Sequence, residues 1–500
     1  MISFKQRFII PLWECKDSEY LAFHINGKDY SYSQLFDIVE QIYGVVSEVP
    51  ENLIGLYATD DIRTYASILA LWFCGKTYIP LNPSQPKERN IKVIESVKTR
   101  YILSSDDNYE IGVDGITTVM TSLFQTEGYQ RKNSINIAEV DDSTLAYILF
   151  TSGSTGKPKG VQITRGNLAA FINSMDHVGL DITSKDRCLQ PFDLTFDFSV
   201  SSYVIPLVKG ASIYTISSKV VKFAYIAKLL EEHHLTILQM VPSMIRNLLP
   251  YINEIDLTSV RYNILCGEAL SGKIIKGWHM GNQEMVSYNM YGPTEDTVFC
   301  TYYKITKENV VNLLTNNDIV SIGKTYVNSD LLLLDDNDKI ITRPNIEGEL
   351  CLCGFQLTPG YWENEKENVA KFFRKNGILY YRTGDLCYYA EDGNLMFVSR
   401  KDFQVKINGY RVELGEIESL YTNVAKGKFC IVIPYQNAQN NTELSIVIEG
   451  QEYDYTAHKE YMISKLPKYM VPSRWIFVKN IPLNQNGKVD RKVITNMFNL

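Results

Sequence analysis

The alternation of strand and helix patterns in the first 150 residues places the strongest constraint on the fold of this chain. Asp60 or Asp61 can serve as the N-cap of an apolar helix that runs to Cys74. A β-α-β-α order of this kind is typical of a layered α/β domain with a largely parallel sheet. The predicted buried strands are Leu53–Thr59, Tyr78–Leu81, Arg100–Ser104 and Leu145–Phe150. Ser33 is the expected cap of an earlier amphipathic helix.

The pattern changes towards the end of the chain. Glycine-bounded strands dominate around residues 320–400, which predicts a β-rich subdomain, and a strand-turn-helix-strand-strand-helix pattern follows Arg400. We therefore expect an α/β protein with a large N-terminal domain, residues 1–400, made of layered α/β sheets and the β-rich subdomain. Residues 401–500 should form a small, mobile α+β C-terminal domain of ordinary small-domain size.

Composition excludes several classes of protein. The net charge is −7 and basic residues do not form runs, which argues against nucleic acid or an anionic membrane as the main partner. The sequence has neither a signal peptide pattern nor an apolar stretch long enough to span a membrane. The nine cysteines are scattered, as expected for reduced thiols. These features favour a cytoplasmic location.

A glycine-rich loop, Thr151–Gly160, directly follows a predicted strand. Its glycines, hydroxyls and lysines could surround phosphates with backbone N–H groups, O–H donors and positive charge. It is not a Walker loop, because Thr151 stands where that motif has its first glycine and Pro158 follows Lys157. A mobile surface turn is the alternative interpretation of this segment taken alone.

The loop and its preceding strand, Leu145–Gly160, resemble the phosphate loop of the adenylate-forming superfamily. That superfamily includes acyl-CoA synthetases, luciferases and the adenylation domains of nonribosomal peptide synthetases. The resemblance extends over nearly the whole chain, with one departure at Ser399, where glycine is usual. The other segments that carry it are Leu69–Pro83, Asn289–Glu295, Tyr381–Leu386, Ser399–Lys406, Leu466–Pro472 and Asn486–Arg491.

The resemblance implies ATP and Mg²⁺ as cofactors and a set of catalytic residues. Adenylation brings a carboxylate against the α-phosphorus of ATP, so it needs alignment and charge neutralisation rather than a base. Glu295 is the implied Mg²⁺ ligand, Thr294 is expected near the α-phosphate, and Lys488 should bridge the carboxylate and α-phosphate oxygens. An exposed hairpin is the alternative interpretation of Lys488.

The resemblance also implies a nucleotide site. Tyr291 should stack on adenine, and Asn289 should meet the adenine amine. Asp385 suits two ribose hydroxyls, although an Asx-turn would also explain it. Arg400 is expected to contact ribose or phosphate. The implied nucleotide-binding residues are Thr151, Ser152, Gly153, Ser154, Thr155, Gly156, Lys157, Gly267, Glu268, Ala269, Asn289, Met290, Tyr291, Gly292, Asp385 and Arg400.

The segment Phe196–Ser199 resembles the F-D-x-S motif of the amino-acid-activating members. Its carboxylate, Asp197, would hold the substrate ammonium group, because a carboxylate in an apolar pocket attracts a cation strongly; a helix N-cap is the alternative role. The implied pocket resembles those for D-alanine and threonine, and its bulky members favour a small or medium amino acid. Its positions are Asp197, Phe198, Ser201, Gln239, Ile264, Cys266, Met290, Val298 and Phe299.

The acceptor is expected to be a thiol on a separate phosphopantetheinylated carrier protein, since the sequence contains no carrier-like G-G-x-S segment. The resemblance implies a hinge at Asp402 and a thiol tunnel at Gly409, where a side chain would obstruct pantetheine. The chain is similar to freestanding D-alanine–carrier protein ligases but departs from them at Gly415. An acyl- or aryl-CoA synthetase and a non-catalytic nucleotide-binding protein of the same fold are the alternatives.

Overall fold

The computed structural model describes residues 2–132, 134–153, 158–217, 220–327, 329–402, 404–425, 428–482, 489 and 491–498. A short π-helical turn, Lys5–Ile9, precedes the first α-helix. The α-helices are α1 (Ile10–Glu14), α2 (Tyr32–Val46), α3 (Ile62–Phe73), α4 (Lys87–Val97), α5 (Arg165–His177), α6 (Phe198–Val208), α7 (Lys222–His233), α8 (Pro242–Leu248), α9 (Gly272–His279), α10 (Glu365–Lys371), α11 (Leu414–Val424), α12 (Thr456–Lys465) and α13 (Arg491–Phe498).

The strands alternate with these helices up to residue 291 and dominate beyond it. They are β1 (Leu21–Ile25), β2 (Lys28–Ser31), β3 (Leu53–Tyr57), β4 (Thr77–Leu81), β5 (Tyr101–Ser104), β6 (Thr117–Met120), β7 (Leu145–Thr151), β8 (Lys159–Thr164), β9 (Arg187–Gln190), β10 (Ser212–Thr215), β11 (Ile237–Met240), β12 (Tyr262–Leu265), β13 (Val286–Tyr291), β14 (Thr301–Ile305), β15 (Thr315–Asn316), β16 (Ile319–Val320), β17 (Lys324–Thr325), β18 (Ser329–Leu334), β19 (Ile340–Ile341), β20 (Gly348–Gly354), β21 (Phe372–Lys375), β22 (Ile378–Tyr389), β23 (Leu395–Arg400), β24 (Gln404–Ile407), β25 (Tyr410–Glu413), β26 (Cys430–Gln436), β27 (Thr442–Glu449) and β28 (Arg474–Val478).

The sheets confirm the predicted α/β fold class. One sheet has the order β17-β14-β13-β12-β11-β9-β10-β1-β2, and its pairs from β13 to β1 are parallel. A second has the order β6-β5-β3-β4-β7-β8, with parallel pairs from β6 to β7. The predicted β-rich region forms the antiparallel sheet β19-β18-β20-β22-β21, with β23 paired to β22.

Capping residues explain where two of the early helices begin. Asp61 accepts a hydrogen bond from the Arg63 N–H at the start of α3, as expected. The expectation for Ser33 is wrong, because the cap of α2 is Ser31. Ser31 and Gln34 exchange side-chain and backbone hydrogen bonds in a capping box, which fixes the helix start two residues earlier.

The described residues cluster into two compact units. The first contains residues 1–83, 97–149 and 160–401, and its core is a large apolar cluster around the two parallel sheets. The second contains residues 84–96, 150–159 and 402–500, and its core lies between β26-β27-β28 and the helices α11 and α12. Among the described residues, no helix is both long and apolar enough to cross a membrane.

Candidate active site

Members of both predicted groups, substrate and nucleotide residues, lie where three neighbouring parallel strands end. Gln239 on β11 is paired with Ile264 on β12. Leu265, the next residue on β12, is paired with Asn289 on β13. Ligands of parallel α/β sheets bind at the carboxyl ends of strands, where the connecting loops converge. The sheet therefore brings residues of both predicted groups to one edge.

A tight loop after β13 carries Thr294 and Glu295. The Cys300 N–H donates to the Tyr291 carbonyl at 2.8 Å and closes the loop. A Cβ on Gly292 would lie 2.6 Å from the backbone oxygen of Val298, so only glycine fits. Val298 itself has φ of +74°, a conformation that is costly for a β-branched residue and that concentrates at functional sites.

Asp197 and Thr294 meet at the start of α6. Asp197 occupies the N-cap position, but its side chain makes no capping hydrogen bond. The Thr294 hydroxyl instead donates to the Asp197 carboxylate at 2.6 Å, and Asp197 is buried. The residue expected at the substrate ammonium group and a residue expected at the α-phosphate are therefore in direct contact.

Glu295 is held by a residue that the motifs did not single out. The Tyr361 hydroxyl donates to the Glu295 carboxylate at 2.6 Å, and the Thr358 N–H donates to the Glu295 carbonyl at 2.8 Å. Only 1% of Glu295 is exposed. Mg²⁺ prefers oxygen ligands, and a carboxylate held in place through one of its oxygens is suited to bind it. Tyr361 lies 66 positions away in the chain, and nothing in its local sequence indicates this contact.

A second carboxyl group, Asp296, follows the predicted metal ligand directly. It is fully buried, and among the described residues neither of its oxygens has an N–H or hydroxyl partner; the weak thiol donor of Cys300 faces it. Burial first, and then the charge of Glu295, raise the pKa of Asp296 to about 7. The loop can therefore present one carboxylate charge rather than two near neutral pH.

The residues expected around the ribose form one hydrogen-bonded group. Asp385 receives the Tyr291 hydroxyl on one oxygen and Arg400 on the other, the latter at 2.6 Å. Arg400 also donates to the Thr383 carbonyl at 3.0 Å. Burial and the adjacent Asp385 raise the pKa of Tyr291 well above its usual value, so its hydroxyl remains a donor. Asp385 is thus oriented by two side chains, and each carboxylate oxygen can still accept a further hydrogen bond.

Hydrogen bonds hold two of the residues expected around adenine in place. The Asn289 amide donates to the Ser321 carbonyl at 2.8 Å, which leaves its oxygen as the group that can accept from an amine. Glu268 accepts from both the N–H and the hydroxyl of Ser243, at 2.8 and 2.9 Å. Gly267 has φ of +88°, which turns the chain after β12. Ala269, next to Glu268, is exposed.

The predicted pocket positions are buried and contact one another. Ser201 donates to the Gln239 side-chain oxygen at 2.5 Å. The rings of Phe198 and Phe299 meet edge to face with centroids 5.0 Å apart. The remaining positions, Ile264, Cys266, Met290 and Val298, belong to the same apolar cluster.

Several predicted residues lie in the second unit. The Ser152 hydroxyl, just after Thr151 at the end of β7, donates to the Arg411 carbonyl on β25 at 2.8 Å. Asp402 accepts from the Gln404 N–H at 3.3 Å, and Gly409, in the turn between β24 and β25, has φ of +84°. Gly153 follows Ser152 in the same segment. Ser154, Thr155, Gly156, Lys157 and Lys488 lie outside the described residues.

Comparison with known proteins gives consistent matches. Residues 14–362 match the family described as AMP-binding enzyme. D-alanine–D-alanyl carrier protein ligase from Lactococcus lactis is 30% identical over 96% of each chain. Tyrocidine synthase 3 from Brevibacillus parabrevis is 31% identical over 89% of this chain, which spans only 7% of that protein. The adenylation domain AlmE of Vibrio cholerae, in complex with glycyl-adenosine-5'-phosphate, has a TM-score of 0.87 at 24% identity and covers 99% of this chain and 97% of its own.

The family match covers more than half of the chain, and the ligase match extends along nearly all of both sequences. The resemblance to amino-acid-adenylating enzymes that the motifs indicate is therefore confirmed. The chain belongs to the AMP-binding enzyme family, as an adenylate-forming enzyme of the type found in D-alanine ligases and nonribosomal peptide synthetase adenylation domains.

Proposed function

We propose that this enzyme uses ATP and Mg²⁺ to convert a small or medium amino acid, of D-alanine or threonine size, to aminoacyl-AMP with release of pyrophosphate. It then transfers the aminoacyl group to the phosphopantetheine thiol of a separate carrier protein.

The contact between Asp197 and Thr294 supports this proposal most directly. At 2.6 Å it joins a buried carboxylate to the loop that carries the predicted metal ligand. A buried carboxylate without a capping role is suited to a substrate ammonium group. An acyl or aryl acid has no such group, so it would leave Asp197 buried opposite an apolar substrate.

The described side chains suggest how the first step is aligned. The substrate carboxylate is the nucleophile, so the residues around it need only hold the two reactants in line and neutralise charge. Asp197 would fix the ammonium end, Thr294 would lie beside the α-phosphate, and Asp385 would fix the ribose. Mg²⁺ on Glu295 would supply positive charge to the phosphates. Lys488 remains the predicted bridge between carboxylate and α-phosphate.

The proposal that the acceptor is a carrier protein rests on the comparison with related proteins. The ligase from Lactococcus lactis is named for a D-alanyl carrier protein. A solved protein with both adenylation and carrier (PCP) domains has a TM-score of 0.84 at 23% identity, which shows the shared fold. We extend the same acceptor chemistry to this chain.

An ATP–pyrophosphate exchange screen over D- and L-amino acids, with acyl and aryl acids as controls, tests the proposal. We expect exchange with one or a few small amino acids and background exchange with the controls. The adenylate formed should then discharge onto a pantetheinylated carrier protein and not onto free CoA. Exchange with an acyl or aryl acid, followed by discharge onto CoA, would instead identify an acyl- or aryl-CoA synthetase.

A further inference from the structure

A tyrosine outside the motif-derived pocket contacts one of its walls. The Tyr326 hydroxyl donates to the Met290 sulfur at 2.9 Å and lies 3.7 Å from the Met175 sulfur. No more than 3% of any of these three residues is exposed. The Tyr326 N–H also donates to the carbonyl of Cys300, the residue after the predicted pocket segment, at 3.0 Å. Tyr326 is therefore fixed at both its backbone and its hydroxyl.

This contact matters because a methionine side chain that lines a pocket can otherwise change its conformation easily. Its three rotatable side-chain bonds let it fill irregular spaces and move aside for a larger neighbour. A hydroxyl donor on the Met290 sulfur restricts that freedom. The Tyr326 ring is itself stacked on Tyr302, with centroids 5.6 Å apart, so the donor cannot easily swing away.

The other pocket positions leave few polar groups for a substrate side chain. Ser201 donates to the Gln239 oxygen, and the Gln239 amide lies 3.4 Å from the Ser201 carbonyl. These two residues satisfy each other, while Phe198 and Phe299 are in ring contact. A substrate hydroxyl would have to share groups that already bond each other, and a hydroxyl left without a good partner in the pocket costs free energy. The arrangement therefore suits a very short apolar side chain.

We propose that Tyr326 is a specificity-determining residue. It holds the Met290 thioether against the pocket and limits the substrate to amino acids with the smallest apolar side chains, glycine and alanine. This inference rests on the proposed function and narrows its substrate class.

Three variants test the inference by ATP–pyrophosphate exchange. Tyr326→Phe removes only the hydroxyl, Met290→Leu removes only the sulfur acceptor at similar volume, and the double variant combines them. Tyr302→Phe is the matched control. It makes the same chemical change on the stacked ring of the residue paired with Met290 across β13 and β14, whereas the hydroxyl bonded to the Met290 sulfur is that of Tyr326. Each is assayed with glycine, alanine, 2-aminobutyrate, valine and threonine, and thermal unfolding confirms that each is folded.

One methylene is worth about 10- to 200-fold in kcat/KM in an apolar pocket. We expect Tyr326→Phe to raise the kcat/KM ratio of 2-aminobutyrate to alanine by roughly 3- to 10-fold. Tyr302→Phe should leave the ratio unchanged. In the Met290→Leu background, removal of the Tyr326 hydroxyl should have no further effect, because the acceptor is gone.

The outcomes distinguish failure of this inference from failure of the proposed function. Wild-type exchange with small amino acids but unaltered ratios in Tyr326→Phe would overturn the role of Tyr326 alone. Equal effects of Tyr326→Phe in the wild-type and Met290→Leu backgrounds would do the same. A wild-type preference for threonine would overturn the glycine and alanine class. Exchange with no amino acid at all would overturn the proposed function and this inference together.

Discussion

At the scale of single residues, the candidate site is shaped by tyrosines that hold other side chains in place. Tyr291 contacts Asp385, Tyr326 contacts Met290, and Tyr361 contacts Glu295. A buried phenol is suited to this work, because its ring packs in an apolar core while its hydroxyl reaches a partner. Two of these partners, Asp385 and Glu295, are the residues proposed to hold the ribose and Mg²⁺, and the phenols orient them.

Tyr361→Phe tests whether the Tyr361 hydroxyl positions the proposed metal ligand, Glu295. Loss of the hydroxyl leaves the Glu295 carboxylate without the donor that fixes one of its oxygens, and outer-shell changes of this type cost roughly 10- to 100-fold in metal affinity or activity. We expect the Mg²⁺ concentration for half-maximal exchange to rise about 10-fold, with a smaller change in KM for the amino acid. Tyr380→Phe, the same change one residue before Tyr381 on β22, is the control. An equal Mg²⁺ dependence in both variants would contradict a positioning role for Tyr361.

Sequence reasoning identified motif residues better than their supports. Asp197, Thr294 and Glu295 are singled out because each belongs to a short motif with recognisable spacing. Tyr361 and Tyr326 are not, because each meets its partner through the fold rather than through a local pattern. Their distance along the chain, 66 positions for Tyr361 and 36 for Tyr326, leaves no periodic signal to follow.

At the scale of elements, strand ends and loop geometry decide where the chemistry lies. The predicted strands were located within one or two residues, since short buried runs with β-branched residues are a strong signal. The short strand β25 and the start of α2 were not predicted correctly. A hairpin strand such as β25 is defined by its cross-strand pairing, which no local pattern shows. Ser31 is distinguished from Ser33 as the helix cap only by its reciprocal hydrogen bonds with Gln34.

The loop after β13 should be intolerant of any side chain at Gly292. Gly292→Ala places a Cβ 2.6 Å from the Val298 backbone oxygen, so the loop must open and displace Thr294 and Glu295. We expect a lower melting temperature and a loss of exchange of at least 100-fold, on the order expected when catalytic groups are misplaced by about 1 Å.

Gly44→Ala is the matched control for this change. Gly44 lies exposed inside α2 with nothing within 4 Å of the added Cβ. Alanine there should stabilise the protein by about 0.5–1 kcal/mol through helix propensity, without loss of exchange. Equal effects of the two substitutions would show that the loop is not sterically closed.

His279, at the end of α9, predicts an acid-sensitive element. Burial lowers its pKa to about 4, and its ring contacts the Ser287 hydroxyl at 2.9 Å. Because the folded pKa lies below the unfolded value near 6.5, its contribution to stability is present above pH 6.5 and is lost as the pH falls towards 4. Between pH 7 and 5 the loss is about 1–2 kcal/mol.

His279→Gln should remove this part of the pH dependence. The amide cannot titrate and can still reach Ser287. Denaturant unfolding at pH 7 and pH 5 should show a smaller loss of stability in the variant than in the wild type. Identical losses in both proteins would exclude His279 as the titrating group.

At the scale of the whole molecule, the chain separates into two compact units, and the division falls between Lys401 and the predicted hinge Asp402. The second unit also contains segments 84–96 and 150–159, which precede it in sequence. Composition and motif order predicted two domains. They could not predict that early segments cluster with the last hundred residues, because such membership depends on tertiary packing.

Two half-reactions within one chain predict separable defects. Lys488, which lies outside the described residues, is assigned by resemblance to the adenylation step. Lys488→Ala should reduce ATP–pyrophosphate exchange by about 100-fold or more, as for removal of a charge that stabilises a transition state. Transfer from supplied aminoacyl-AMP to the carrier thiol should be nearly unaffected. Equal loss of both half-reactions would contradict this division of labour.

The most direct measurement of the central claim compares an amino acid with its des-amino analogue. Alanine and propionate differ only in the ammonium group, which Asp197 is proposed to hold. In ATP–pyrophosphate exchange the wild type should prefer alanine over propionate by at least about 100-fold, since a site built for a charged group rejects the analogue that lacks it. Asp197→Ala should remove most of that preference while leaving the KM for ATP nearly unchanged. Equal wild-type exchange with both acids, or an unchanged preference in Asp197→Ala, would contradict amino-acid activation through Asp197.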